Sequence, residues 1–240
     1  MLTSTAVITI IPRQGMGLVR VKEVRLDRAR IVDAALTIAA RDGAPAVTMR
    51  RLGSELGVDA TAFYRHFRTK DDLVAAMAER LMERELEAID LSGDWRENLR
   101  QLCWGGWRVY RGHPGFAESI ARLPDDGDVL ARIADRMFVE LRRAGLSRPD
   151  AVLFYHSSVD LIAGTGLFLA IAPRLANDSG RTELRHALAA LPASTHPALH
   201  DVGEYLYPPV EQVFANSVGL LLDAIELRSV SETQRHEEER

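Results

Sequence analysis

Cysteine is nearly absent from this 240-residue chain, and Cys103 is the only one. A lone thiol closes no intrachain disulfide and supplies no zinc-ligand set. A disulfide-stapled secreted scaffold and a zinc-folded module are therefore excluded, and a cytoplasmic location is expected. Aromatic residues make up only 6%, and β-branched residues nowhere gather into the alternating runs of a strand. No uninterrupted apolar run reaches the ~18 residues of a membrane helix. The N-terminal stretch "MLTSTAVITIIPRQGMGLVRV" has no basic leader, and Pro12-Arg13 cuts its short apolar run. It reads as a flexible arm over residues 1–24 and not as a signal peptide, with Met16 as an alternative start. Lysine is scarce too: of 30 basic residues only Lys22 and Lys70 are lysine, which reads as a bias of genome composition. Internal repeats and low-complexity blocks are missing. No G-x-S-x-G elbow, phosphate loop or paired metal ligands on one helix face frames Cys103, the seven histidines or "HSSVD" as a catalytic set, so an enzyme is not expected.

What is present favours helix. Apolar residues make up 47% and charged residues 27%, enough for a core. Ala, Leu, Arg and Glu recur throughout. The net charge of −4 is unevenly spread. Residues 20–70 hold 11 Lys and Arg against 6 Asp and Glu, whereas residues 71–240 hold 18 against 28. A basic N-terminal quarter joined to an acidic remainder is the pattern of a chain that meets a polyanion at one end.

Periodicity and caps place the elements. Ile31, Ala34, Ala35, Ile38 and Ala39 recur at three and four, predicting a helix over residues 27–41 that stops at Gly43. Thr48 caps a second helix, anchored by Leu52 and Leu56 and closed by Gly57. Asp59 caps a third, very short one. Thr69 and Asp72 have capping-box spacing for a fourth, reaching about residue 89. Further helices are expected in "WRENLRQLCWGGWRVYRGH", "DVLARIADRMFVELRRAGL", the long apolar "RPDAVLFYHSSVDLIAGTGLFLAIAP", the short "TELRHALAAL" and "PPVEQVFANSVGLLLDAIEL". Residues 231–240 are expected to fray.

The stretch "VTMRRLGSELGVDATAFYRHFRTKDDL" has the length and turn of a helix-turn-helix. Gly57-Val58 makes the turn, with Val58 expected to be buried. Phe63 and Phe67 lie four apart on one helix face, so both can enter a core. Ala60, Thr61, Tyr64, Arg65 and His66 are left to line the outer side, with Lys70 at the start of the next helix. Such groups donate to phosphates or touch base edges, and small residues let the backbone approach.

The segments "IVDAAL", "G…VTMRRLGSELGV" and "AFYRHFRTKDDL", within residues 28–81, resemble the DNA-binding domain of the tetracycline-repressor (TetR) family of bacterial transcriptional regulators. The resemblance implies an all-α chain: a three-helix helix-turn-helix domain over residues 25–72, then a larger helical ligand-binding and dimerisation domain over residues 73–230, of which residues 73–89 are the connecting helix. It also implies roles. Thr48 and Arg50 would meet the backbone or groove edge. Ala60, Thr61 and Arg65 would face bases, and Tyr64, His66 and Lys70 would clamp phosphates. Arg28 would reach the duplex from the first helix. Many members carry a polar or basic residue where this chain has Ala60.

The remainder is similar to the regulatory domains of the tetracycline-repressor subclass, in "LARIADRMFVELRRAGLS", "VDLIAGTGLFL" and "YPPVEQVFANSVGLLLDAIE". That likeness implies a homodimer joined through the helices that start near Asp150 and Pro209, with Gly164 and Gly166 permitting close helix contact. It implies repression of a double-stranded DNA operator, relieved by a small apolar effector. A regulator with a degenerate pocket, independent of ligand or bound to a protein partner, is the alternative. Candidate pocket residues are Trp104, Trp107, Tyr110, His113, Phe116, Phe138, Phe154, His156 and Asp160. His113 falls near the metal-linked histidine of tetracycline repressors. No acidic partner follows Ala172 to complete such a site, so neither a metal nor another cofactor is expected, and no membrane partner.

Overall fold

The computed structural model describes residues 26–123 and 128–238, with side chains to residue 231. The expected N-terminal arm, Met16 included, lies outside the described residues. Among the described residues the chain is all helix and turn, with no strand. The helices are α1 (Arg28–Asp42), α2 (Met49–Leu56), α3 (Lys70–Ala88), α4 (Trp95–Gly112), α5 (Ala117–Ala121), α6 (Asp128–Arg143), α7 (Arg148–Ile171), α8 (Asp178–Ala189), α9 (Pro197–Asp201) and α10 (Val210–Glu238). Short 3-10 turns lie between several of them. The chain divides into two compact units, Met1–Leu81 and Met82–Arg240.

In the first unit, local chemistry sets each boundary. The Asp27 carboxylate accepts from the Arg30 N–H at 2.8 Å and starts α1, and Gly43, at φ 85°, ends it. Thr48 Oγ1 accepts from the Arg51 N–H at 3.1 Å and starts α2. Gly57 stops α2 in the left-handed region, at φ 67°. Thr69 and Asp72 bond reciprocally: the Asp72 N–H donates to Thr69 Oγ1 and the Thr69 N–H to the Asp72 carboxylate, both at 3.1 Å. Ile31, Ala35, Ile38, Leu52, Phe63, Phe67, Leu73 and Met77 form the core, all essentially inaccessible to water or nearly so. Val58 is only half-buried, contrary to expectation, because its turn runs along the rim of this small core. Gly53 is needed for a close approach that no local pattern announces: a Cβ there would lie 2.8 Å from the Val58 carbonyl oxygen.

In the second unit, α4, α6 and α7 pack on one another, and α10 packs on α4 and α7. α6 ends in a Schellman turn: Gly145 sits at φ 95°, and the Gly145 and Leu146 N–H groups donate to the Arg142 and Leu141 carbonyls. Asn98, fully buried, accepts from the Gly93 N–H and donates to the Leu91 and Gly93 carbonyls, pinning the loop before α4. α5 and α9 were not legible in the sequence, being too short to show a period. α10 continues to Glu238, through most of the segment expected to fray, since neither Gly nor Pro follows Gly219.

α7 is long and apolar enough to cross a membrane by length and composition, with a mean hydropathy of 1.4 over its best window. Scanning for unbroken runs misses it because His156, Ser157, Ser158 and Asp160 interrupt the apolar residues. One face, Ala151, Ser158, Ile162 and Gly166, is buried. Gly166 is where α7 meets α4: a Cβ there would lie 2.5 Å from Cβ and Cγ of Tyr110. Gly164, by contrast, points at open space. The two glycines therefore do different work, and only Gly164 is left for an external contact. Gly166→Ala is expected to destabilise this unit by about 1–3 kcal/mol through overpacking. That outweighs the ~1 kcal/mol by which alanine favours a helix over glycine. Thermal unfolding followed by circular dichroism checks the sign; a raised Tm would mean that the α4–α7 contact is loose.

Candidate functional site

The first candidate site is the outer side of the α2–turn–α3 segment. Residues Ala60–Arg65 form a 3-10 helix, six residues long, capped by Asp59. The Asp59 carboxylate accepts the Thr61 hydroxyl at 2.6 Å and the Thr61 N–H at 2.8 Å, and these bonds hold its pKa below the usual carboxylate range. The hydroxyl proton is thus committed inward, and Thr61, exposed, offers its methyl group and oxygen lone pairs outward. Phe63 and Phe67 are buried, as their spacing predicts. Between them Tyr64 is 56% exposed, Arg65 is exposed and His66 half-buried.

The cations of this unit sort into two groups. Arg41 and Arg51 are paired with Asp42, and Arg41 also with Glu55, whose carboxyl that pairing holds down. Arg50, Arg68 and Lys70 are exposed, and no ion pair engages them among the described residues. Arg68 was not singled out from the sequence, although its place in the basic run "RHFRTK" was a usable signal. Arg28 lies apart from these. Its guanidinium donates to the His66 carbonyl at 3.2 Å and stacks over the Phe67 ring at 4.5 Å, so it braces the end of the short helix.

The second candidate site is a cavity of about 180 Å³ inside the second unit, walled by the end of α3 and by α4, α5, α6 and α7. Its lining is mostly aliphatic, including Met82, Leu86, Ile89, Leu102, Ile120, Leu130, Ile133, Met137 and Ile162, with Gly105 and Gly106 in the α4 wall. The polar groups are Glu85, Tyr110 and Tyr155. Burial raises the Tyr110 phenol. A second apolar cavity, of about 220 Å³, lies among α4, α7, α10 and the loop at Tyr207-Pro208.

Of the residues singled out from the sequence, Tyr110 lines the first cavity and Trp107 the second. Trp104, His113, Phe116, Phe138, Phe154, His156 and Asp160 line neither. The tryptophans are taken up in an internal cluster: Trp107 stacks on Phe214 at 4.9 Å, and Trp104 meets both edge-on at 5.2 and 5.0 Å. Phe138 packs on Tyr155 at 4.7 Å. His113 is half-buried, and burial, helped by the Arg84 charge, lowers its pKa. No cluster of three or more His, Cys, Asp or Glu could hold a metal among the described residues. Burial pushes the Cys103 thiol up to about 12, which removes it as a nucleophile near neutral pH. His156 and Asp160 are exposed on α7.

That exposed side of α7 carries Leu153, Phe168 and Ile171 at 62%, 52% and 80% exposure. On α10, Val213, Leu220 and Leu227 recur every seven residues and are also exposed. Large apolar side chains concentrated on two adjacent long helices mark an interaction face.

Residues 31–77 match the family model of bacterial regulatory proteins, tetR family, and residues 90–228 that of the tetracyclin repressor-like C-terminal domain. The chain is 28% identical over 202 residues to the HTH-type transcriptional repressor Rv1353c of Mycobacterium tuberculosis (strain ATCC 25618 / H37Rv), covering 80% of this chain and 77% of that one. It is 25% identical over 209 residues to the HTH-type transcriptional repressor DrrR1 of Streptomyces coeruleorubidus, covering 82% and 76%. Among solved structures, a possible TetR family transcriptional regulator from Streptomyces coelicolor A3(2) is 30% identical with a TM-score of 0.67, covering 85% of this chain and all of that one. The TetR family protein ActR of Streptomyces coelicolor, solved in complex with actinorhodin, shares the fold at a TM-score of 0.72 and 20% identity, covering 85% and 98%.

Proposed function

Since the chain belongs to the tetR family of bacterial regulatory proteins, and so to a family of DNA-binding transcriptional regulators, we propose that it is a cytoplasmic homodimeric repressor, released from a double-stranded operator by a small apolar molecule. The observation that carries this reading is α3. Its first residue, Lys70, is an exposed cation with no ion pair among the described residues, and its last turns wall the cavity through Met82, Glu85 and Leu86. One helix thus belongs both to a polyanion-reading segment and to a small-molecule pocket. A ligand that favours one placement of α3 shifts the population of the DNA-binding state. ActR, which shares the fold, has been solved with actinorhodin bound. The mostly aliphatic cavity favours an effector over the ligand-independent alternative.

On this reading, residues 25–72 form the DNA-binding domain and residues 73–230 the regulatory and dimerisation domain. Ala60, Thr61 and Arg65 face bases, with the Thr61 methyl group suited to a thymine methyl. Thr48, Arg50, Tyr64, His66 and Lys70 meet the sugar-phosphate backbone, joined by Arg68, while Arg28 holds the short helix in place. The exposed faces of α7 and α10 join two copies, giving two reading heads for a two-fold site.

The test starts from operators selected out of random duplex DNA. Lys70→Ala is expected to weaken binding to all sequences alike and to reduce the salt slope by about 1. Thr61→Ala or Arg65→Ala is expected to change which sequences are selected, at about 1–3 kcal/mol per lost base contact. If Lys70→Ala kept both affinity and salt slope, the phosphate role would be wrong.

A further inference from the structure

The cavity walled by α3 to α7 carries an unbalanced set of polar groups. Among the described residues, Glu85 is the one charged group in its lining, and no Lys, Arg or His faces it. Arg108 pairs with Glu85 from outside the lining and is half exposed. Both of its bonds, from Nε at 2.8 Å and Nη2 at 2.5 Å, go to the same oxygen, Oε1. Glu85 Oε2 is therefore left without a hydrogen-bond partner among the described residues. Tyr110, 5% exposed, also lines the cavity, and its hydroxyl has no partner among the described residues. A spare carboxylate oxygen and an unpartnered phenol thus lie, with Tyr155, in a mostly aliphatic wall. The Glu85 side chain is 24% exposed, so these two atoms are open to a partner that enters the cavity, and a ligand carrying the matching group gains a hydrogen bond there.

We propose that the effector is an apolar molecule that carries a hydrogen-bond donor and no negative charge, and that Glu85 and Tyr110 select it. The inference rests on the reading of this cavity as the effector site. A protonated amine or a neutral hydroxyl serves Glu85 Oε2 equally as a donor, and both enter a wall that offers them no repulsion. A carboxylate or phosphate would lose its hydration, meet Glu85 first and find no cation in the lining. Arg108, the cation paired with Glu85, is not part of the lining. The aliphatic remainder fits a rigid hydrocarbon skeleton, with Gly105 and Gly106 supplying the room. A Cβ at Gly105 would lie 2.6 Å from Ile89 Cδ1, and one at Gly106 3.0 Å from Ile162 Cγ2.

Four probes on one two-ring skeleton test this: methylnaphthalene, naphthol, naphthylmethylamine and naphthoate, titrated calorimetrically into the full chain at neutral pH. The amine and the naphthol are expected to bind more tightly than methylnaphthalene, and naphthoate more weakly. Glu85→Gln is expected to cost the amine about tenfold or more in affinity while leaving methylnaphthalene unchanged, which also shows that the variant is folded. Tyr110→Phe is expected to cost naphthol a few-fold. Naphthoate binding as tightly as naphthol, or an amine indifferent to Glu85→Gln, overturns the selectivity but keeps the cavity as a binding site. Failure of all four probes to bind overturns the effector cavity itself, and this inference with it.

Discussion

Replacing Phe63 with alanine is expected to unfold the DNA-reading unit and abolish operator binding, although Phe63 touches no DNA on the reading proposed here. Its side chain is completely inaccessible to water and sits between residues of the short helix that would face the duplex. Removing a buried phenylalanine ring typically costs about 3–5 kcal/mol in lost transfer energy and residual cavity. The described part of this unit, residues 26–81, has a total stability of only about 3–8 kcal/mol at the usual stability per residue. The loss is therefore comparable with everything that holds the unit together. Tyr64→Phe is the matching control. Tyr64 is more than half exposed, so its stability is expected to stay within ~0.5 kcal/mol of the parent. Circular dichroism melts together with operator titration check both variants. Operator affinity and melting unchanged in Phe63→Ala would mean that the short helix does not depend on this core.

The double substitution Leu220→Asp with Leu227→Asp is expected to give a folded monomer that binds operator at least 100-fold more weakly. Both leucines are exposed in the single chain, at 62% and 71%, so the protomer loses no packing. Across a two-fold interface each substitution counts twice. It places four carboxylates where apolar groups would otherwise be buried, and an uncompensated buried carboxylate costs several kcal/mol. The DNA effect follows from linkage. Two reading heads held together gain an effective concentration worth about 10²–10⁴ in affinity over one head alone. Light scattering gives the mass, and the same sample is titrated with operator. A mass still twice that of the chain would place the interface elsewhere. A monomer with full operator affinity would remove the need for paired heads.

How much of this was legible in the residues depends on the range over which the physics acts. The helix-turn-helix was readable because its determinants are local. The caps at Asp27, Thr48 and Asp59, the Thr69–Asp72 box and the left-handed Gly57 each act within about four residues. The pairing of Phe63 with Phe67 is a one-turn spacing that puts both on one face. The basic N-terminal quarter is likewise a property of composition. By these routes the sequence by itself determined the all-α class and the order of the longer helices, while the family came from the resemblance of residues 28–81.

The cavity proposed for the effector followed another logic. Aromatic residues were the natural pocket candidates, yet Trp104 and Trp107 are drawn into a cluster with Phe214, more than a hundred residues away, because aromatic rings gain from stacked and edge-to-face contact with one another. The cavity forms instead where α4 carries Gly105 and Gly106 and the surrounding helices meet them with aliphatic chains. Its one charged group among the described residues, Glu85, is defined by a pairing with Arg108 from a different helix. The same holds along α7, where sequence alone treats Gly164 and Gly166 alike. Gly166 is pressed against Tyr110, while Gly164 faces open space beside Leu153 and Phe168 on the exposed side. Which side of a long apolar helix faces inward depends on what packs against it. Only the tertiary structure decides that, because the partners are far apart along the chain and a helix's own period cannot tell a core from an interface.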